Sequence, residues 1–142
     1  MDRRPSLRSS ILAVYSLALA GGNILLGALI LIGGDPRMSA SSFANLRSIA
    51  SPTAWGFMLV VAGCLIVVGH IFNLRGVVFW GHVFAGGVSL FWAAVFLAGA
   101  RDTPTSPWTG IAAYLQIAVQ HYLTAGMTSG LRLRKRRSNA QR

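Results

Sequence analysis

Glutamate is absent from this chain of 142 residues, and acid is confined to Asp2, Asp35 and Asp102. All three lie outside the long apolar stretches, so paired-carboxylate chemistry between those stretches is excluded. Cysteine occurs once, as Cys64. That rules out an intrachain disulfide and a cysteine-based metal cage. Charge of any kind is scarce. Charged residues make up 11% of the chain, against roughly 25% in a soluble domain. A fold this small leaves much of its surface exposed, and the sequence lacks the polar side chains to cover it. The composition therefore argues against a soluble globular enzyme, and a hydrophobic content of 54% argues against disorder. No phosphate-binding glycine loop, nucleophile elbow or zinc-binding helix motif is present, so no enzyme activity and no cofactor are expected.

What the chain has is apolar length. Mean hydropathy is +0.56. Four runs, over residues 11–32, 54–72, 77–99 and 108–130, contain no Asp, Glu, Lys or Arg. Each is close to the ~20 residues that a helix needs to cross a bilayer core. In lipid the backbone must satisfy its own hydrogen bonds, which favours helices, and the alternating polarity of a membrane β-barrel is missing. The runs predict an all-α membrane protein, a single domain of four transmembrane helices in an antiparallel bundle. Breakers separate them: Gly33-Gly34-Asp35-Pro36, Ser51-Pro52-Thr53, Asn73-Leu74-Arg75-Gly76, and 102–107 with its two prolines. Ser51 or Thr53 is expected to cap the second helix. Ala18-Leu19-Ala20 resembles a signal-cleavage site, but the apolar stretch runs on through Ile32.

The net charge is +10, and its placement carries information. Ten basic residues fall on one side of the expected membrane: Arg3, Arg4, Arg8, Arg75 and the tail from Arg132 to Arg142. Arg37, Arg47 and Arg101 fall on the other. Basic residues are retained in the cytoplasm. The bias thus predicts a plasma or inner-membrane protein with both termini cytoplasmic, and residues 131–142 as a basic cytoplasmic tail. Trp55 and Trp108 stand at the outer ends of their runs, where interfacial anchors belong. In the first outer loop, Phe43, Leu46 and Ile49 recur every three residues, which predicts a short interfacial helix or plug.

Three features within the runs are candidates for function. Gly81, Ala85, Ser89 and Ala93 repeat at spacing four and form a helix-packing face, for contacts within the bundle or between copies. Gln116, Gln120, Thr124 and Thr128 repeat likewise, with His121 beside them. Such a polar stripe must meet protein or water, as hydrogen-bonding glue or as the lining of a lumen, with Asn23 and Ser89 as possible partners. His70, His82 and His121 lie in or near the membrane and suit local hydrogen bonding, or a cofactor or proton role. No metal-spaced cluster accompanies them. The juxtamembrane cluster Arg132, Arg134, Lys135, Arg136 and Arg137 is suited to anionic lipid. Nucleic acid is not an expected partner, because no folded basic face accompanies the tail.

In outline, the chain resembles phage holins. The features that match are its size, the basic tail after Arg132, the Gly81/Ala85/Ser89/Ala93 face and the Gln116/Gln120/Thr124/Thr128 stripe. The resemblance is one of architecture. It implies a protein that gathers in the host inner membrane, oligomerises and opens holes. Two other readings stand beside it. DoxX-like redox or quinone-associated bundles are similar in size and span number, and in that reading His70, His82 and His121 matter. An accessory or superinfection-exclusion protein would instead pack on a larger membrane partner.

Overall fold

A computed structural model describes residues 7–39, 43–100 and 108–140. The described residues are helical apart from short connections, and they contain no strand. The elements are α1 (Leu7–Arg37), α2 (Ala44–Ile49), α3 (Pro52–Ile71), α4 (Arg75–Ala100) and α5 (Trp108–Ala140). Three helices are long and apolar enough to cross a membrane: Ser10–Gly34 within α1, Pro52–Ile71 and Arg75–Ala100. Among the described residues α5 does not join them, because Gln116, Gln120 and His121 interrupt its apolar run.

The helix ends follow from local chemistry. Gly34 takes φ 51°, ψ −145°, and breaks the helical path of α1. A left-handed φ followed by a further extended ψ suits glycine, and Pro36 stands just beyond. Of the two expected caps for α3, Ser51 is the one used. Its Oγ accepts from the Ala54 N–H at 3.2 Å, with Pro52 at the first helical position. At the far end of α3, Asn73 adopts φ 55°. Asparagine tolerates this conformation, and the Leu74 N–H reaches back to the Gly69 carbonyl at 2.7 Å. That closure turns the chain directly into α4. The expected tail also differs in form. α5 continues as helix through Ala140, because Arg and Lys are good helix formers and no breaker follows Gly130.

Packing rests on small residues where backbones approach. A Cβ on Gly63 would lie 2.6 Å from the Ala20 carbonyl oxygen, and one on Gly27 2.6 Å from that of Gly56. α1 and α3 therefore touch backbone to backbone. Gly69 meets Val78, and Gly81 meets Ile66, across α3 and α4. Gly86 receives His121 and Tyr122 from α5.

The interior has two unlike ends. Away from the α3–α4 turn lies an apolar cluster of Ile30, Met38, Leu46, Trp55, Leu59, Val88, Trp92 and Phe96. α2 caps it. Leu46 is fully buried, and Phe43 meets Trp92 and Phe96 edge-on. Ile49, the third residue of the expected stripe, is exposed. Trp55 is a core residue rather than an interfacial anchor. Its Nε1–H donates to the Leu46 carbonyl at 3.0 Å, because α2 folds over it. Trp108 is exposed. The other end of the interior is polar and holds the histidines.

Candidate functional site

Three imidazoles, one hydroxyl and one amide form an unbroken chain of hydrogen bonds. His70 Nε2 lies 2.8 Å from Ser16 Oγ. Ser16 Oγ lies 2.7 Å from His82 Nε2. His82 Nδ1 lies 2.8 Å from His121 Nδ1. His121 Nε2 lies 3.0 Å from Asn23 Nδ2. The chain begins near the end of α3, crosses to α1, α4 and α5, and returns to α1. All four long helices contribute. Ser16, Asn23, His82 and His121 are buried, whereas His70 is only half-buried.

Local structure explains each placement. Ser16 and Asn23 are seven residues apart on α1, two turns on one face and ~10 Å along the axis. His82 stands two turns inside α4, where its ring turns inward instead of reaching the headgroups. His121 occupies the space above Gly86, which has no side chain to fill it. His70 sits one residue before the end of α3, beside the turn.

The bonding has a direction. An amide nitrogen can only donate, so Asn23 Nδ2 gives its hydrogen to His121 Nε2. His121 Nδ1 then carries a hydrogen and donates to His82 Nδ1. His82 Nε2 donates to Ser16 Oγ, and the Ser16 hydroxyl donates to His70 Nε2. In this assignment every ring is neutral, and both nitrogens of His82 and of His121 have partners. Turning the Asn23 amide so that its oxygen faces His121 reverses all four bonds with equal satisfaction. Two such polarities of one chain are what hop-and-turn proton transfer requires. Both nitrogens of His82 and of His121 are occupied, so neither ring offers a metal ligand in this arrangement. Among the described residues no three His, Cys, Asp or Glu are grouped to hold a metal ion.

The remaining sequence candidates are distributed as follows. Gln116 is exposed on α5 and Gln120 is half-buried, whereas Thr124 is buried. The Thr124 and Thr128 hydroxyls each donate to a carbonyl four residues back on α5, at 2.8 Å. The stripe therefore divides. His121 joins the polar chain with Asn23, the threonines are satisfied within their own helix, and Gln116 faces outward. Ser89 meets its own helix at the Ala85 carbonyl, not α5. Gly81, Ala85, Ser89 and Ala93 are all buried within the molecule. Arg132, Arg134, Lys135, Arg136 and Arg137 lie along the α5 backbone, and their side chains are outside the described residues.

Sequence reasoning found the three histidines and Asn23 but not the role of Ser16 as the link between two of them. The signal was its position seven residues before Asn23 in an otherwise apolar run. Beyond Asn23 the polar path stops. Trp92, Tyr114 and Phe96 pack ring against ring across the interior. Trp92 Nε1 is buried there without a hydrogen-bond partner among the described residues. No protein-family model matches the chain, no curated protein matches its sequence, and no solved structure matches its fold.

Proposed function

We propose that this chain is a four-span inner-membrane protein that moves protons along its buried histidine chain. The observation that carries the reading is the continuous His70–Ser16–His82–His121–Asn23 path. Ionisable side chains within membrane helices are expensive and mark proton relays or ligand sites. The same path supports a fourth span. Asn23 lies mid-way along the apolar stretch Ser10–Gly34, and His121 of α5 bonds to it. Contact with α1 at that depth supports α5 as a further span. Contacts of Gly63 with Ala20, Gly69 with Val78 and Trp92 with Tyr114 support an antiparallel order of neighbours. With that order, the bias of basic residues along the sequence supports cytoplasmic termini.

Transfer through the chain balances proton for proton. A proton arriving on His121 Nε2 displaces the Asn23 donor. The His121 Nδ1 proton passes to His82 Nδ1, and the His82 Nε2 proton passes to Ser16. The Ser16 hydroxyl proton passes to His70 Nε2, and His70 releases its own Nδ1 proton at the turn end. The chain is left with reversed polarity, and rotation of the Asn23 amide and the rings resets it. In this conformation the path is open at His70 and closed by the aromatic layer beyond Asn23. Passage to the far side therefore needs that layer to part.

The test is proton flux into liposomes under a potassium diffusion potential. Wild-type protein should raise flux above that of empty liposomes, and His82→Leu should abolish the increase. Equal flux for the variant, or none for the wild type, would reject the relay.

One observation favours a second reading, the holin-like one. Gln116 is exposed on α5 at a depth where lipid would surround it, and an amide there is costly unless another copy covers it. Lateral assembly through Gln116 would then precede permeabilisation. Gln116→Leu should delay or abolish lysis on induced expression with a cytoplasmic endolysin, while insertion is retained. Unchanged lysis timing would remove this reading. Insertion with neither activity would instead move the weight to an accessory that packs on a larger membrane protein.

A further inference from the structure

At the turn end α4 and α5 enclose an open cleft of about 280 Å³, lined by no member of the histidine chain. Its lining residues are Arg75, Gly76, Phe79 and Trp80 from α4 with Thr128 and Ser129 from α5. That volume equals about nine waters, enough for a phosphodiester headgroup. We propose that this cleft binds one phospholipid with a net negative headgroup. The proposal rests on the membrane-spanning reading of the chain.

Three independent observations converge. The first is charge. The Arg75 guanidinium has no partner among the described residues. The whole sequence has 13 Lys and Arg against 3 Asp and no Glu, so its basic residues exceed its acids by ten. Their counter-anions must come from outside the chain. The second is backbone. In the first turn of α4 the Arg75, Val77 and Val78 N–H groups bond to carbonyls of the preceding turn, which leaves the Gly76 N–H as the orphan donor there among the described residues. A Cβ placed on Gly76 would meet nothing within 4 Å, so the backbone there is open to a ligand. The third is the wall. Trp80 is 66% exposed and stands edge-on to Phe79. Such a wall suits an acyl chain descending from the headgroup. The Thr128 and Ser129 hydroxyls already donate to their own helix, and the Arg75, Val77 and Val78 N–H groups to the Asn73 and Leu74 carbonyls, so the Arg75 guanidinium and the Gly76 N–H are the groups left for phosphate.

This surface is distinct from the basic tail, and the test separates the two. Native mass spectrometry of the full chain from non-ionic detergent would follow phosphatidylglycerol, phosphatidylcholine and inorganic phosphate, each added alone. Wild type should retain one phosphatidylglycerol and neither of the others. Arg75→Gln should lower that retention about five-fold, the effect of one basic residue on anionic lipid, and Arg75→Lys should keep most of it. A variant with Arg134, Lys135, Arg136 and Arg137 all changed to Gln should still hold one lipid. Equal retention by Arg75→Gln, equal binding of phosphatidylcholine, loss of the lipid in the tail variant, or Arg75-dependent binding of phosphate alone would each overturn the site. Alkaline washing of membranes tests the underlying reading separately. A wild-type chain that washes off is not a membrane-spanning protein. One that stays but holds no phosphatidylglycerol lacks only the site.

Discussion

Ser16 is the smallest member of the polar chain and the one with two imidazoles depending on it. Its hydroxyl serves His70 at 2.8 Å and His82 at 2.7 Å. Removing that single oxygen leaves His82 Nε2 buried with no partner. The cost of an orphaned buried polar group is about 1–3 kcal/mol. Ser16→Ala should therefore lower the thermal midpoint in detergent, and it should also interrupt proton flux. Ser10→Ala, at an exposed position of the same helix, should change stability by no more than about 0.5 kcal/mol. Equal behaviour of the two variants would mean that the chain is not a coupled network. At this scale the sequence was half legible. Histidine, serine and asparagine in apolar runs are visible as types, because each is conspicuous against Leu, Ile and Val. Their pairing was not visible, since it depends on which helix faces which. Ser16 and Ser89 look alike in sequence, yet one bridges helices and the other bonds to its own backbone.

Among the elements, α1 and α3 meet backbone to backbone. Ala20 and Gly27 are seven residues apart, and so are Gly56 and Gly63, so each helix presents small residues two turns apart on one face. A methyl group at Gly63 would sit 2.6 Å from both the Ala20 carbonyl oxygen and Ile24 Cγ1. The carbonyl cannot rotate away without breaking α1. Gly63→Ala should thus push the helices apart and cost about 1–3 kcal/mol, the range for overpacking. Gly21→Ala is the control. Its methyl meets nothing within 4 Å, and alanine is the better helix former, so stability should hold or rise by up to about 1 kcal/mol. Circular dichroism melts of both variants in one detergent would compare them, and a Gly63→Ala midpoint equal to wild type would refute the tight seam. The helices themselves were legible from apolar length, and Gly34 and Ser51 from turn and cap chemistry. The α1–α3 seam was not, because seven-residue spacing of glycine is common and the spacing-four stripe of α4 is more conspicuous. The extension of α5 to Ala140 was hidden for another reason: a run of arginines marks a membrane boundary by charge without ending a helix.

For the whole molecule, the decisive quantity is the side on which α5 ends. α5 has 33 residues, about 50 Å at 1.5 Å per residue, against a bilayer core of ~30 Å. It is long enough to cross and still project its basic end. By composition it is the least apolar of the four long helices, and judged alone it need not cross. The bond of His121 to Asn23 at the middle of α1 is what supports the proposed crossing. Of the polar residues that weaken the hydropathy of α5, His121 ties it to α1 and α4, whereas Gln116 faces outward. Single cysteines in a Cys64→Ala background make the distinction measurable with a membrane-impermeant thiol reagent. Thr53→Cys, at the start of α3, should be labelled in intact cells. Leu74→Cys in the α3–α4 turn and Ser138→Cys near the end of α5 should be labelled only after permeabilisation. Labelling of both Thr53→Cys and Ser138→Cys in intact cells, with Leu74→Cys protected, would mean three crossings and an α5 that lies outside. The bond from His121 to Asn23 could not then form, and the relay would lose its α5 member. One labelling pattern therefore tests the topology and the continuity of the proton path together.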